Sequence, residues 1–78
     1  MDRSQVFDKV IKVTSESLDV DPSSLTEQTD FKQLGADSFD LLELVTAFED
    51  EFDASMEDEK LLTIHTIGDA VDAITQAL

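Results

Sequence analysis

The chain of 78 residues carries 19 Asp and Glu against 5 Lys and Arg, a net charge of -14, and has no cysteine. That length gives one small domain, residues 1–78, with a single modest core, and the charge excludes DNA, RNA and anionic membrane surfaces as partners while favouring basic proteins. The missing thiols exclude a disulfide framework, a thiolate nucleophile and a cysteine-ligated metal site. Met1-Asp2-Arg3-Ser4 lacks the basic and then apolar run of a secretory leader, and no apolar stretch nears the roughly 18 residues of a spanning helix. The expectation is a cytoplasmic protein that does not insert in a membrane.

The first element is a helix from about residue 3 to 18, since Val6, Phe7, Val10, Ile11, Val13 and Leu18 gather on one side and Asp8, Lys9, Lys12 and Glu16 on the other. Asp2 with Gln5 forms a capping pair for its start. Pro22 cannot continue the helix, because it lacks a backbone donor and pushes Asp21 out of the helical region. The long connection that follows, up to Gly35, has Val20, Leu25, Phe31 and Leu34 spaced through it as apolar anchors, so it reads as a packed crossover.

Winding residues 38–52 at about 100° each places Leu41, Leu44, Val45, Phe48 and Phe52 in one arc, with Asp40, Glu43, Ala47 and Asp50 largely outside it. Phe39 falls about 160° from the centre of that arc, beside Glu43, Thr46 and Asp50, and is predicted to be exposed. Residues 57–62 leave space for a short helical turn or two. Thr66 with Asp69 makes a second capping box, and Ile67, Ala70, Val71, Ile74 and Leu78 form the apolar stripe of a last helix. No period-2 alternation or hairpin signal supports a strand. The fold class is all-α, a small bundle of three main helices plus a short one.

Charge is uneven along this arrangement: residues 1–36 hold 7 acids and 4 bases, whereas residues 37–78 hold 12 acids and only Lys60. The functional field lies in the second half. There, Asp37-Ser38 opens the second main helix, and both residue types favour capping; Asp37 with Asp40 has capping-box spacing. A catalytic serine needs a base in reach, but the one histidine, His65, precedes a helix cap and no Gly-x-Ser-x-Gly elbow surrounds Ser38. The chain is therefore read as a non-enzyme. A remaining chemistry makes Ser38 a substrate, esterified by another enzyme with a phosphate-bearing group that the helix start accommodates.

Gly35-Ala36-Asp37-Ser38, then Asp40, Glu43-Leu44-Val45, Ala47, Glu49 and Glu51-Phe52-Asp53, resembles the acyl carrier proteins, whose Gly-x-Asp-Ser-Leu motif opens the second helix. The likeness extends to Phe31 and Leu34-Gly35, to Thr66-Ile67 and to the Ala70-Val71-Asp72-x-Ile74 stripe. It implies a four-helix bundle with 4′-phosphopantetheine on Ser38, delivered from coenzyme A by a magnesium-dependent phosphopantetheinyl transferase (holo-ACP synthase). The arm ends in a thiol, which such carriers load with acyl chains as thioesters. Within the family, the Asp-Ser and Glu-Leu-Val pattern looks most like the free-standing type of fatty acid biosynthesis, expected to act as a monomer with basic-surfaced enzymes.

Three departures bear on partners and cargo: Phe39 replaces the usual leucine, Met56-Glu57-Asp58-Glu59 stands where many relatives have isoleucine and then proline, and Leu61-Leu62 is more apolar than usual. Partner recognition is assigned to Asp37, Phe39, Asp40, Leu42, Glu43, Glu49, Met56 and Asp58, with Glu57 and Glu59 as secondary contacts. The acids individually read as a solvated helix face, but together they surround the serine with no lysine beside them. Val45, Phe48, Phe52, Met56, Leu62, Ile64 and Ile67 are candidate walls for a sequestered acyl chain.

Other readings stand beside this one. Residues 19–30 faintly mimic a calcium-binding EF-hand loop, but Ser24 replaces the turn glycine, Pro22 intrudes and Asp30 is too short for the bidentate position, so no metal site is assigned. An unmodified acidic helical adaptor would share the charge and have no use for Ser38, and a polyketide or D-alanyl carrier would share the attachment site. A core this small under a charge of -14 leaves only a few kcal/mol of net stability. The melting temperature is therefore expected to rise across a series of added salt or divalent cations, and a transition that stays put in thermal melts contradicts this electrostatic account.

Overall fold

Each of the three long helices starts on a reciprocal capping pair in which one side chain accepts the backbone N–H three residues on and is answered in return. The computed structural model describes residues 1–56 and 58–78, with the side chains of Asp58, Lys60 and Leu61 outside that description. Helix α1 spans Arg3–Leu18, α2 spans Ser38–Phe52 and α3 spans Ile67–Ala77. Asp2 Oδ1 accepts from the Gln5 N–H at 2.9 Å while Gln5 Oε1 accepts from the Asp2 N–H at 3.0 Å. Asp37 with Asp40 and Thr66 with Asp69 repeat the arrangement at α2 and α3.

Helices α1 and α2 also end alike, each on an aspartate in the left-handed region, Asp19 at φ 55° and Asp53 at φ 51°. Their backbone N–H groups donate to Ser15 O and Glu49 O, so the turn is closed, yet neither helix has a basic residue in its last turn to meet the negative pole.

The predicted faces meet in one core. Val6, Val10 and Val13 of α1 are buried with Leu44, Val45, Phe48 and Phe52 of α2 and Ile67, Ala70, Val71 and Ile74 of α3. Helix α1 is the common neighbour, packed against both α2 and α3. Three positions depart from the expected faces. Leu78 lies past the last turn of α3 and is 58% exposed, whereas Ala73, not read as part of the stripe, is buried. Ala47, read as outside the α2 arc, is half-buried at the seam with α1.

The crossover is packed as its anchors require: Leu25 and Phe31 are buried, and Val20 and Leu34 lie against the core. A short 3-10 turn over Pro22–Ser24 is capped by Asp21, which accepts from Ser23 N–H at 2.9 Å and from its hydroxyl at 2.8 Å. Both bonds favour the ionised form and hold the Asp21 carboxyl below its ordinary pKa, the backbone bond most strongly. The segment mimicking an EF-hand is thus a capped turn, and among the described residues no three acids or histidines gather to hold a metal ion. A second 3-10 segment, Phe31–Leu34, ends at Gly35, whose φ of 83° suits glycine.

The crossover is then stitched to the start of α3. Phe31 N–H donates to His65 O at 3.0 Å, Ile67 N–H to Thr29 O at 3.0 Å and Gly68 N–H to Glu27 O at 2.9 Å. A side chain at Gly68 would bring its Cβ to 3.0 Å from the Glu27 carbonyl, so this approach depends on glycine. Arg3 adds a three-way clamp, pairing with Glu27 and, at 2.5 Å, with Asp72.

The residues between α2 and α3 include a 3-10 stretch, Asp58–Thr63, where the sequence predicts a short helical turn or two. Glu57 lies outside the described residues. Among the described residues the isolated bridge between Asp30 and Thr66 is the only β pairing, and no helix is long and apolar enough to cross a membrane.

At α3, Asp69 Oδ2 accepts from His65 N–H at 3.0 Å and from Thr66 N–H at 3.1 Å. The His65 bond chiefly holds the Asp69 carboxyl below its ordinary pKa; partial burial opposes it, and the Thr66 bonds add to it. A carboxyl depressed in the folded state gives stability that is full above its unfolded pKa, near 3.9, and is lost as pH falls through the lower folded value. Asp69→Ala removes the acceptor of the His65 and Thr66 N–H groups and is therefore expected to cost about 1 kcal/mol at neutral pH, a gap to the parent that narrows below about pH 4 in urea titrations at several pH values.

Candidate functional site

Asp37 caps α2, and this leaves Ser38 free. Asp37 Oδ1 accepts from Asp40 N–H at 2.9 Å, Asp40 Oδ2 accepts from Asp37 N–H at 3.2 Å, and Leu41 N–H donates to Asp37 O at 2.9 Å. Ser38 is the first residue of the helix proper and is exposed. Among the described residues its hydroxyl has no hydrogen-bond partner. The Ser38 and Phe39 N–H groups likewise have no acceptor at the start of α2, where the helix presents partial positive charge. The local sequence explains the choice of cap: Asp40 stands three residues after Asp37 and can answer it, whereas Leu41 stands three residues after Ser38 and cannot.

A hollow of about 490 Å³ opens beside Ser38. Phe31, Ala36, Leu41, Leu62 and Ile64 give it an apolar lining, and Asp30, Lys32, Asp37, Ser38 and His65 supply its polar groups. Of the candidate wall residues, Leu62 and Ile64 line it. Val45, Phe48, Phe52 and Ile67 are buried in the core and Met56 packs against it. Leu62 is 79% exposed, an apolar side chain held in water at the edge of the hollow.

The outer face of α2 matches its reading in the sequence. Phe39 is 66% exposed and Leu42 46%, while Glu43, Thr46 and Asp50 are also exposed. Residues three and four apart on a helix are neighbours, so Phe39, Leu42 and Glu43 form a mixed apolar and acidic patch one turn from Ser38. Other residues that the sequence assigns to recognition have structural duties. Asp37 and Asp40 cap the helix, and the half-buried Glu49 accepts from the Met56 N–H at 2.9 Å, fastening the chain after α2. The side chain of Asp58 lies outside the described residues.

Lys32 and His65 escaped sequence reasoning as site residues, and the expectation that no lysine stands beside the serine and its acids is corrected by Lys32, which lines the hollow with Asp37 and Ser38. The Phe31 N–H to His65 O bond brings their two segments together across the hollow. No local pattern announces such a long-range pairing.

Comparison with known proteins agrees with this geometry. Residues 8–74 match the family described as phosphopantetheine attachment site. An acyl carrier protein of Caulobacter vibrioides is 47% identical over 74 residues, 94% of this chain and 95% of that protein. One of Phenylobacterium zucineum is 47% identical over 76 residues, 96% of each. Among solved structures, the acyl carrier protein of Thermotoga maritima superposes with a TM-score of 0.84 at 35% identity, covering 99% of this chain and 91% of that one. The acyl carrier protein of Enterococcus faecalis, in a structure concerned with its high thermal stability, gives a TM-score of 0.81 at 38% identity over 100% of both chains. The chain thus belongs to the phosphopantetheine-attachment family, among its acyl carrier proteins, which are carriers without enzymatic activity and have 4′-phosphopantetheine as cofactor.

Proposed function

We propose that Ser38 Oγ is the attachment point of the 4′-phosphopantetheine arm, and that the chain carries acyl intermediates as thioesters to the enzymes of fatty acid biosynthesis. It does so in the cytoplasm as one monomeric domain, whose Asp58–Thr63 segment counts as the short third helix of four. The observation that carries this reading is an exposed serine hydroxyl at the head of α2 that has no hydrogen-bond partner among the described residues, its capping role already taken by Asp37.

The residues fit the group. The hydroxyl is accessible for esterification, the free Ser38 and Phe39 N–H groups favour a phosphate oxygen at the helix start, and the hollow offers apolar wall to what the arm holds. When attached, the arm supplies the thiol that this chain, having no cysteine, lacks. The chain's own residues do the rest: Asp37 holds the backbone so that Ser38 stands clear, and Glu43 and Asp50 give α2 an exposed negative face. Phe39 and Leu42 add small apolar contacts to that face. A carrier must be released after each encounter, and long-range charge with little packed area gives fast association without a long-lived complex.

Incubation with coenzyme A, magnesium and a broad-specificity phosphopantetheinyl transferase is expected to add one phosphopantetheine to the parent chain and none to Ser38→Ala, read by intact mass. An adduct on the alanine variant, or none on either, rejects Ser38 as the attachment point.

Charge reversal on the docking face has a cleaner test at Glu43 than at Asp37, since Asp37→Lys also removes the α2 cap, worth about 1 kcal/mol. Glu43 is exposed and uses its side chain in no bond among the described residues. Glu43→Lys is expected to lower transferase kcat/KM by roughly fivefold, mostly through KM, with the thermal transition preserved. An unchanged KM in a folded variant removes Glu43 from recognition.

A further inference from the structure

The hollow beside Ser38 is lined by two basic residues, Lys32 and His65, and among the described residues neither joins an ion pair. Arg3 is clamped between Glu27 and Asp72, and Lys9 lies 4.0 Å from Glu51 and over the Phe52 ring. Lys32, by contrast, joins no ion pair among the described residues, although the chain holds 19 acids. The His65 imidazole makes no hydrogen bond among the described residues, while its backbone is doubly fixed, its N–H donating to Asp69 and its C=O accepting from Phe31. Both residues line the same hollow as Ser38. The two carboxylates that also line it, Asp30 and Asp37, are turned onto backbone donors, Lys32 N–H at 2.8 Å and Asp40 N–H at 2.9 Å.

A phosphodiester on Ser38 places another negative charge next to Asp37, Asp40 and Glu43, so the charge already present on this face disfavours it. A cation across the hollow offsets that cost, and a histidine donor adds a directed hydrogen bond. Resting on the reading of Ser38 as attachment point, we propose that Lys32 and His65 form a phosphate clamp that draws the phosphodiester of the attached arm against the hollow and restrains the arm's root. They are positioning residues for the arm, with no part in forming the ester.

The clamp is tested on isotope-labelled protein before and after enzymatic attachment, with the adduct verified by intact mass. Attachment is expected to shift the His65 ring and Lys32 side-chain NMR signals and to leave the arm's ³¹P line broader than in free phosphopantetheine. In the Lys32→Gln/His65→Gln double variant, taken to full attachment as judged by intact mass, the ³¹P line narrows towards the free value. Lys12→Gln, on the exposed side of α1 and outside the hollow, keeps the broad line. Both substituted side chains are exposed and the His65 backbone bonds are retained, so the double variant is expected to melt as the parent does.

Unmoved His65 and Lys32 signals on a chain that does carry the adduct overturn the clamp and leave the attachment point intact. No adduct at all overturns the reading of Ser38 and the clamp with it. Free phosphopantetheine added to Ser38→Ala separates the covalent arm from a general anion: shifts equal to those in the attached protein overturn a clamp specific to the arm.

Discussion

The reciprocal bond between Asp37 and Asp40 is the interaction on which the site depends. A helix start has unpaired N–H groups that draw in nearby hydroxyls and carboxylates, and a serine in that position would ordinarily be consumed by them. Here the residue before the serine takes the task and finds its answering acid three residues on. Structural necessity and chemical availability are thus divided between adjacent side chains, and the same two carboxylates begin the acidic face that continues through Glu43 and Asp50. Under the proposed function, stability and recognition at the head of α2 draw on common residues, Asp37 and Asp40.

Much of this was legible because it is local. Capping pairs at three-residue spacing, the apolar arc of α2 and the exposure of Phe39 all follow from helical geometry applied to neighbouring residues. The crossover was readable for a related reason: four spaced apolar residues in a segment that Pro22 excludes from helix have little to do except pack. Even the competition between Asp37 and Ser38 for the cap had its answer in the contrast between Asp40 and Leu41.

What escaped was set by distance along the chain. The hollow exists because Phe31 pairs with His65 and Gly68 admits the Glu27 carbonyl, and these contacts join residues with no common period. His65 reads in sequence as a loop histidine, and only the pairing shows that it shares a wall with Ser38 and Lys32. Five candidate wall residues belong to the core or pack against it, as ordinary core packing has each of them do, and only Leu62 and Ile64 line the hollow. Leu78 shows the converse: its phase on the wheel suits the stripe, but past the last turn no partner covers it.

In the proposed function, Leu62 bears on how an attached acyl chain is held. Most apolar side chains here have already surrendered their hydration to the core, but this one retains it beside the hollow. A hydrocarbon guest lying along Leu62 frees solvent from both surfaces at once, at about 25 cal/mol for each square ångström covered. The pull strengthens with guest length until the wall is used up, after which further methylenes stay wet. Under the proposed function, a shallow recess of this kind acts as a ruler with a soft upper mark: each added methylene strengthens retention until the wall is covered, and longer tails gain nothing more.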